Sequence, residues 1–275
     1  MTDARPNSMH KLDNAIRKMA AGDKAYVNVR SLIANAIVGH MLPDGVVKGG
    51  TSLKIRFGDA ATRYTTDLDA ARGKDLEEFT NLLDKALAEG WQGFTGRVVP
   101  REPAHPERVP ESYVMQPFDV KLSYLSKAWC TVALEVGHNE IGDAEASEYI
   151  VPTEANSYLE RLGFPAIGPV ACIPLHHQIA QKLHGASEPG SKRVHDLIDL
   201  QLIDKGGSVD WARTRQTCER LFAYRKKQAW PPTIVIGTDW EALYREQRGS
   251  LDVVESAAEA VNWANVLIAR VASFE

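Results

Sequence analysis

The 275-residue sequence has few cysteines, no long apolar run and no surplus of positive charge. Its three cysteines (Cys130, Cys172 and Cys218) lie far apart and form no Cys-x-x-Cys pair. That excludes a disulfide framework or a zinc ribbon and fits a reducing cytosol. No stretch approaches the ~20 apolar residues of a membrane-spanning helix. The N-terminal MTDARPNSMHKLDNAIRKMA lacks an apolar signal core, so a cytoplasmic protein off the membrane is expected. The net charge of −4, from 32 Lys and Arg against 36 Asp and Glu, excludes a broad basic coat for nucleic acid but not a local patch. There is no GxxxxGK(S/T) segment and no strand-linked GxGxxG, which argues against P-loop and dinucleotide folds. His176, His177, His184 and His195 match no zinc-binding spacing.

What is present is ordinary globular composition, 44% hydrophobic and 25% charged, enough for one large domain or two modest ones. Apolar periodicity predicts helices across 10–42, stopped by Pro43-Asp44-Gly45, and over 75–89. A short strand at 46–48 runs through Gly49-Gly50 into a helix over 51–57, with Thr51 or Ser52 as its cap. Residues 65–71 read as a strand, and 118–124 with 132–136 as a hairpin. The Pro-rich stretch 100–111 reads as a loop, and 138–160 as acidic and loop-rich. Helices are predicted at 174–186, 192–204, 210–227 and 252–273. The fold class is therefore α/β at the front and helical at the back, divided as 1–170 and 171–275.

The chemistry concentrates in Gly45–Ala71. On a strand, Asp67 and Asp69 project to one face, roughly 7 Å apart along the chain. Two such carboxylates repel unless a cation neutralises them, and Mg²⁺ takes one or two carboxylates plus substrate phosphates. Gly49-Gly50 lets backbone approach phosphate closely, and the helix that follows turns N–H groups and a positive dipole end toward an anion. Thr51 and Ser52 add hydroxyls. Either element alone is commonplace; in this order, with Arg56 and Arg63 between them, they describe a triphosphate cradle beside a metal site.

The segment Gly49-Gly50-Thr51-Ser52-Leu53 … Arg63-Tyr64-Thr65-Thr66-Asp67-Leu68-Asp69 resembles the first motif of DNA polymerase β-type nucleotidyltransferases, and more narrowly that of the AbiEii/AbiGii (MenT-like) toxins. Lys182-Leu183-His184-Gly185 and Ser191-Lys192-Arg193-Val194-His195-Asp196-Leu197 resemble that family's lysine-helix and RxxD elements. The resemblance implies a mixed-sheet nucleotidyltransferase core with a helical C-terminal part that contributes to the active site. It also implies transfer of NMP from an NTP with Mg²⁺, a cognate antitoxin, and for some members a tRNA 3′ end as acceptor. His195 departs from the pattern, standing where many relatives carry Lys, which leaves the local charge there pH-dependent.

The resemblance calls for a third carboxylate on a neighbouring strand. Glu135, which interrupts the alternation of Val132–Val136, is the first choice, with Asp119 the alternative and Lys121 on the same face as Asp119, within reach of an acid or a phosphate. A solvent-facing salt bridge explains the hairpin charges almost as well. Lys182 borders an apolar helical stripe; by itself it reads as a snorkelling lysine, and with the resemblance as a phosphate ligand. Asp196 sits on a helix apolar all round, so it is expected to be buried and paired with Lys182 or Arg193. Residues 182–227 hold ten Lys or Arg against six Asp or Glu, with Trp230 nearby, which suits RNA contact or merely a solvated helix face.

The expected protein is thus a Mg²⁺-dependent nucleotidyltransferase toxin. Asp67, Asp69 and Glu135 would hold metal. Gly49, Gly50, Thr51, Ser52, Arg63, Lys121 and Lys182 would bind nucleotide, and Lys182 and Asp196 would join the aspartates in catalysis. A protein or small-molecule hydroxyl is the alternative acceptor. A non-catalytic RNA- or antitoxin-binding module is the alternative of another class.

Overall fold

The computed structural model describes residues 5–103 and 114–274. The chain divides into two compact units, residues 1–59 with 65–173, and residues 60–64 with 174–275.

In the first unit, α1 (Met9–Met19) and α2 (Asp23–His40) replace the single helical run read over 10–42, because Gly22 at φ 108° breaks it. Then follow β1 (Gly45–Lys48), α3 (Gly49–Phe57), β2 (Leu68–Arg72), α4 (Leu76–Glu89), β3 (Phe94–Pro100), β4 (Gln116–Tyr124) and β5 (Lys127–His138). The unit closes with β6 (Glu148–Ile150), α5 (Thr153–Arg161) and β7 (Val170–Cys172). Four of these were not legible: β3, β7, and the strand β6 and helix α5 within the supposed loop 138–160. β3 lacks strict alternation, and β6 and β7 have only three residues each. Most of the Pro-rich stretch 100–111 lies outside the described residues.

The strands form one mixed seven-stranded sheet in the order β3-β4-β5-β2-β1-β7-β6. Alternation sets its two sides. Phe118, Val120, Leu122 and Tyr124 of β4, and Val132, Leu134 and Val136 of β5, join Leu68 and Ala70 in one buried cluster with α1, α2, α4 and α5. The opposite side carries only a small apolar patch, Val46, Ala71, Ala144 and Ile173. Lys48 of β1, Asp69 of β2 and Glu135 of β5 also face that side. Helix α4 shows how local sequence commits an element: Phe79, Leu83 and Leu87 repeat at four-residue spacing and are fully buried. Asp75 accepts from the Glu78 N–H at 2.9 Å, and Gly90 at φ 72° ends the helix.

The second unit contains α6 (Leu175–Ser187), α7 (His195–Gly206), α8 (Trp211–Arg225), α9 (Trp240–Arg248) and α10 (Ala257–Ser273). Helix α9, which lay in unassigned sequence, buries Trp240 and Tyr244. Helix α10 opens with a capping box in which Ser256 and Glu259 satisfy each other's backbone N–H.

Removing the α4 cap should cost about 1 kcal/mol of stability. Asp75→Ala is expected to lower the urea midpoint accordingly, whereas Asp75→Asn, whose amide oxygen can accept the same bond, should keep most of the wild-type stability; equal midpoints for wild type and the alanine variant would contradict the capping role.

Candidate active site

Strand register builds the acidic centre. β2 is antiparallel to β1 and parallel to β5, with Lys48 opposite Asp69 and Asp69 opposite Glu135. Opposed residues share a face, and neighbouring strands stand about 4.8 Å apart. Lys48, Asp69 and Glu135 therefore form a row across three strands on the polar side of the sheet. Asp67 lies just before β2 rather than within it, and remains exposed. Burial pushes the Glu135 carboxyl up from its ordinary pKa, the Asp69 and Asp67 charges push it further, and Lys48 and Arg101 oppose them. The three acids thus feel one another. Asp119, the alternative, sits opposite Ala133 and is engaged by Lys121 at 2.8 Å and Arg101 at 3.8 Å.

Lys48 was missed by sequence reasoning. Its ammonium lies where a Cβ on Gly137 would be only 2.9 Å away, so the glycine gives it passage toward Glu135. The signal was available, because Lys48 immediately precedes the glycine pair on a strand beside the aspartates.

Helix α3 starts at Gly49, two residues earlier than expected, and no side chain caps it. Gly49 holds φ +65°, and a Cβ there would stand 2.0 Å from Asp69 Oδ2. Only glycine lets the carboxylate and the helix start share this space. The hydroxyls of Thr51 and Ser52 do not face an anion at the helix start. Thr51 donates to the Asp67 carbonyl at 2.6 Å. Ser52 is fully buried, and its hydroxyl has no hydrogen-bond partner among the described residues. Packing therefore turns the Thr51 hydroxyl toward the Asp67 carbonyl, while the backbone N–H groups of the helix start stay uncapped by any side chain.

The approach to Asp67 is held by three successive carbonyls. Lys54 Nζ donates to Thr65 O at 3.0 Å, Asn35 Nδ2 to Thr66 O at 3.1 Å, and Thr51 Oγ1 to Asp67 O at 2.6 Å. Lys54 is 4% exposed and also pairs with Asp59 at 2.6 Å. The chain leaves this unit after Asp59 and returns at Thr65. One buried ammonium therefore ties both ends of the excursion. Neither Asn35 nor Lys54 stood out in the sequence, because an Asn and a Lys on helices default to solvent.

In the second unit a separate ion cluster surrounds Lys182. Its ammonium, 4% exposed, donates to Asp196 at 3.0 Å and to Asp199 at 2.6 Å. Arg193 Nε reaches Asp196 at 2.6 Å, and Arg63 Nε lies 3.0 Å and 3.1 Å from the two Asp199 oxygens. Burial would raise the Asp196 carboxyl, yet Lys182 and Arg193 outweigh it and hold it well below the usual carboxylate range. Asp196 is buried, as the all-apolar helix required, and both expected partners reach it. Asp199 was missed, although it lies one turn on from Asp196 along the same buried helix. Among the residues between the motifs, Arg56 is structural: it bonds the Ile173 carbonyl at 2.7 Å and Glu148 at 2.6 Å.

A family model for "Nucleotidyl transferase AbiEii toxin, Type IV TA system" matches residues 35–265. The chain belongs to the AbiEii nucleotidyltransferase toxin family. This is an enzyme family of toxin–antitoxin systems, so a nucleotide substrate and an antitoxin partner come with membership. Among solved structures, the AbiEii chain is similar to MenT4, a nucleotidyltransferase toxin from Mycobacterium tuberculosis H37Rv, at 16% identity and TM-score 0.52, over 98% of this chain and 99% of that one. It also matches JHP933 from Helicobacter pylori at 16% identity and TM-score 0.45, over 89% and 90% of the two chains. No curated relative matches the sequence.

Within this AbiEii protein the remaining expected residues fall elsewhere. Lys121 sits four residues along β4 from Pro117, the partner of Glu135, and bonds Asp119 and Thr131. Trp230 packs edge-on against Phe222 at 5.3 Å. No described helix is long and apolar enough to cross a membrane. Among the described residues no three His, Cys, Asp or Glu side chains already form a metal cage. His195 does not behave as expected: burial depresses its pKa to about 4, Asp196 opposes that, and Arg63 and Arg193 add to it. It is neutral at physiological pH, so the charge there does not switch near neutrality.

Two predictions follow from this geometry. Burial also depresses His176 to about 3 and His177 to about 4. Between pH 6.5 and about 4 the unfolded chain binds protons that these folded histidines refuse, so stability should fall as pH drops through that window and stay level above it. Urea midpoints from pH 7.5 to 4 check this, and His195→Gln should flatten part of the slope; an unchanged slope would remove His195 from its origin. Lys54→Met should raise amide exchange at 65–68 by about tenfold while distant core amides keep their protection. Uniform acceleration across the protein would instead mean global destabilisation.

Proposed function

We propose that this toxin transfers a nucleoside monophosphate from an NTP to an RNA acceptor, foremost a tRNA 3′ end, in a magnesium-dependent reaction in the cytoplasm. The observation that carries the reading is the acid row Asp69–Glu135, with Asp67 beside it, next to an uncapped helix start whose glycine gives way to an aspartate oxygen.

The donor set fits Mg²⁺: it is all oxygen, few in number and accessible, and Glu135 already resists ionisation beside its neighbours. Asp67, Asp69 and Glu135 would hold the ion. Bound there, magnesium supplies charge neutralisation for the carboxylates and for the phosphoryl oxygens. The backbone at Gly49, Gly50, Thr51 and Ser52 would face the triphosphate, as a helix N-terminus suits an anion. A terminal hydroxyl of the acceptor attacks the α-phosphorus, its oxygen forms the new P–O bond, and the bond to the β-phosphate breaks to release pyrophosphate. The hydroxyl proton passes to a carboxylate of the row. Lys48 offsets the negative charge of the row from its β1 side. Most of the rate in such a step comes from positioning and charge neutralisation. Within the second unit, Lys182, Asp196 and Arg63 are the candidate functional residues, and Asp199 fixes Lys182 and Arg63 alike.

The test incubates the purified protein with Mg²⁺, each α-labelled NTP and total tRNA. Label should enter RNA, and Asp67→Asn and Asp69→Asn should each lower transfer by at least about a hundredfold without shifting the urea midpoint. Label on protein or on a small molecule would reassign the acceptor. RNA binding without label under any condition would favour the non-catalytic module.

A further inference from the structure

The polar side of the sheet does not end at the acids. Moving down β4 and β5 from Glu135, the residues on that side are Asp119 opposite Ala133, then Lys121 opposite Thr131, with Arg97 of β3 opposite Lys121 and Thr95 opposite Ser123. Beyond Asp119, the residues Thr95, Arg97, Lys121, Ser123 and Thr131 line an open cleft of about 510 Å³. Four residues of strand separate Thr131 from Glu135, about 13 Å.

Two features set the cleft apart from an ordinary solvated face. Arg97 and Lys121 stand directly opposite each other across an antiparallel pair, and like charges in that position are destabilising. Lys121 is partly offset by Asp119, whereas exposed Arg97 has no ion pair or side-chain hydrogen bond among the described residues. Hydroxyls from Thr95, Ser123 and Thr131 flank the two cations, a donor set suited to phosphate oxygens. The cleft also lies on the β5–β4 side of the acid row, while the start of α3 lies on the β1 side. A nucleotide seated at α3 therefore leaves this side of the row for the other substrate.

We propose that the Arg97–Lys121 cleft binds the sugar–phosphate backbone of a single-stranded RNA end whose terminal hydroxyl reaches the acids. The inference rests on the RNA reading above and deepens it: Lys121 serves the acceptor, not the triphosphate, and Arg97 joins it. A short stretch of extended backbone spans the distance, with Arg101 beside Asp119 along the way.

A 5′-fluorescein RNA with a single-stranded 3′ end is titrated by anisotropy against wild type, Arg97→Lys, Arg97→Gln and Arg97→Glu across salt concentrations. The label-transfer assay is run in parallel, varying RNA and NTP separately. Arg97→Glu should weaken RNA binding and raise the RNA KM by about tenfold or more, leave the NTP KM unchanged, and flatten the salt dependence by about 0.7 in log–log slope. Arg97→Gln should show a smaller loss and Arg97→Lys should largely restore binding. Unchanged RNA binding and RNA KM in all three variants overturns the subsite while leaving the RNA reading intact. A rise in NTP KM instead places the cations on the triphosphate and also overturns it. If wild type itself neither binds nor labels RNA, the acceptor reading falls first and the subsite with it. The urea midpoint of each variant confirms that an exposed substitution left the fold unchanged.

Discussion

Repulsion among carboxylates held at a fixed strand spacing is the constraint on which the rest of this structure depends. Asp69 and Glu135 are opposed across a parallel pair, so neither can retreat without breaking the ladder. The surroundings are arranged to tolerate that. Lys48 occupies the next strand, Gly137 leaves room for its ammonium, and Gly49 surrenders the volume that Asp69 Oδ2 fills. A cation is the remaining neutraliser that the chemistry asks for.

A second principle is that flexible-looking chain is held by buried side chains. The three carbonyls leading to Asp67 are each met by a donor from a different position, and two of the donors, Lys54 and Asn35, are themselves almost fully buried. Placing the first aspartate outside a strand thus costs little precision. The second unit uses the opposite tactic: Lys182 and Asp196 are fixed by charge, in a cluster whose cations and carboxylates satisfy each other.

Much of this was readable in the sequence where a local signal and a tertiary role coincide. The glycine pair, the aspartates and Glu135 all break a pattern, and α4 displays its cap, stripe and terminator openly. What could not be read depends on register. Nothing local says that β2 lies between β1 and β5, so Lys48 looked like the end of a short strand. Short or weakly alternating strands such as β6, β7 and β3 gain their state from their neighbours rather than from their own residues. The direction of the Thr51 hydroxyl was beyond the sequence for a related reason: composition named the donor, and packing turned it to the Asp67 carbonyl. His195 was read by its ordinary pKa, and burial moved it.

The order of the strands also governs when the acid row can exist. β2 emerges early in synthesis, but the strand that completes the row follows only after β3 and β4, and β1 waits for β7 to be flanked on its far side. Such long-range parallel pairing forms late, because its loop closure must come before its contacts. A nascent chain carrying Asp67 and Asp69 is therefore without Glu135 until β5 has been made. The topology thus sets the order in which the row's members become available, with Glu135 the last of them.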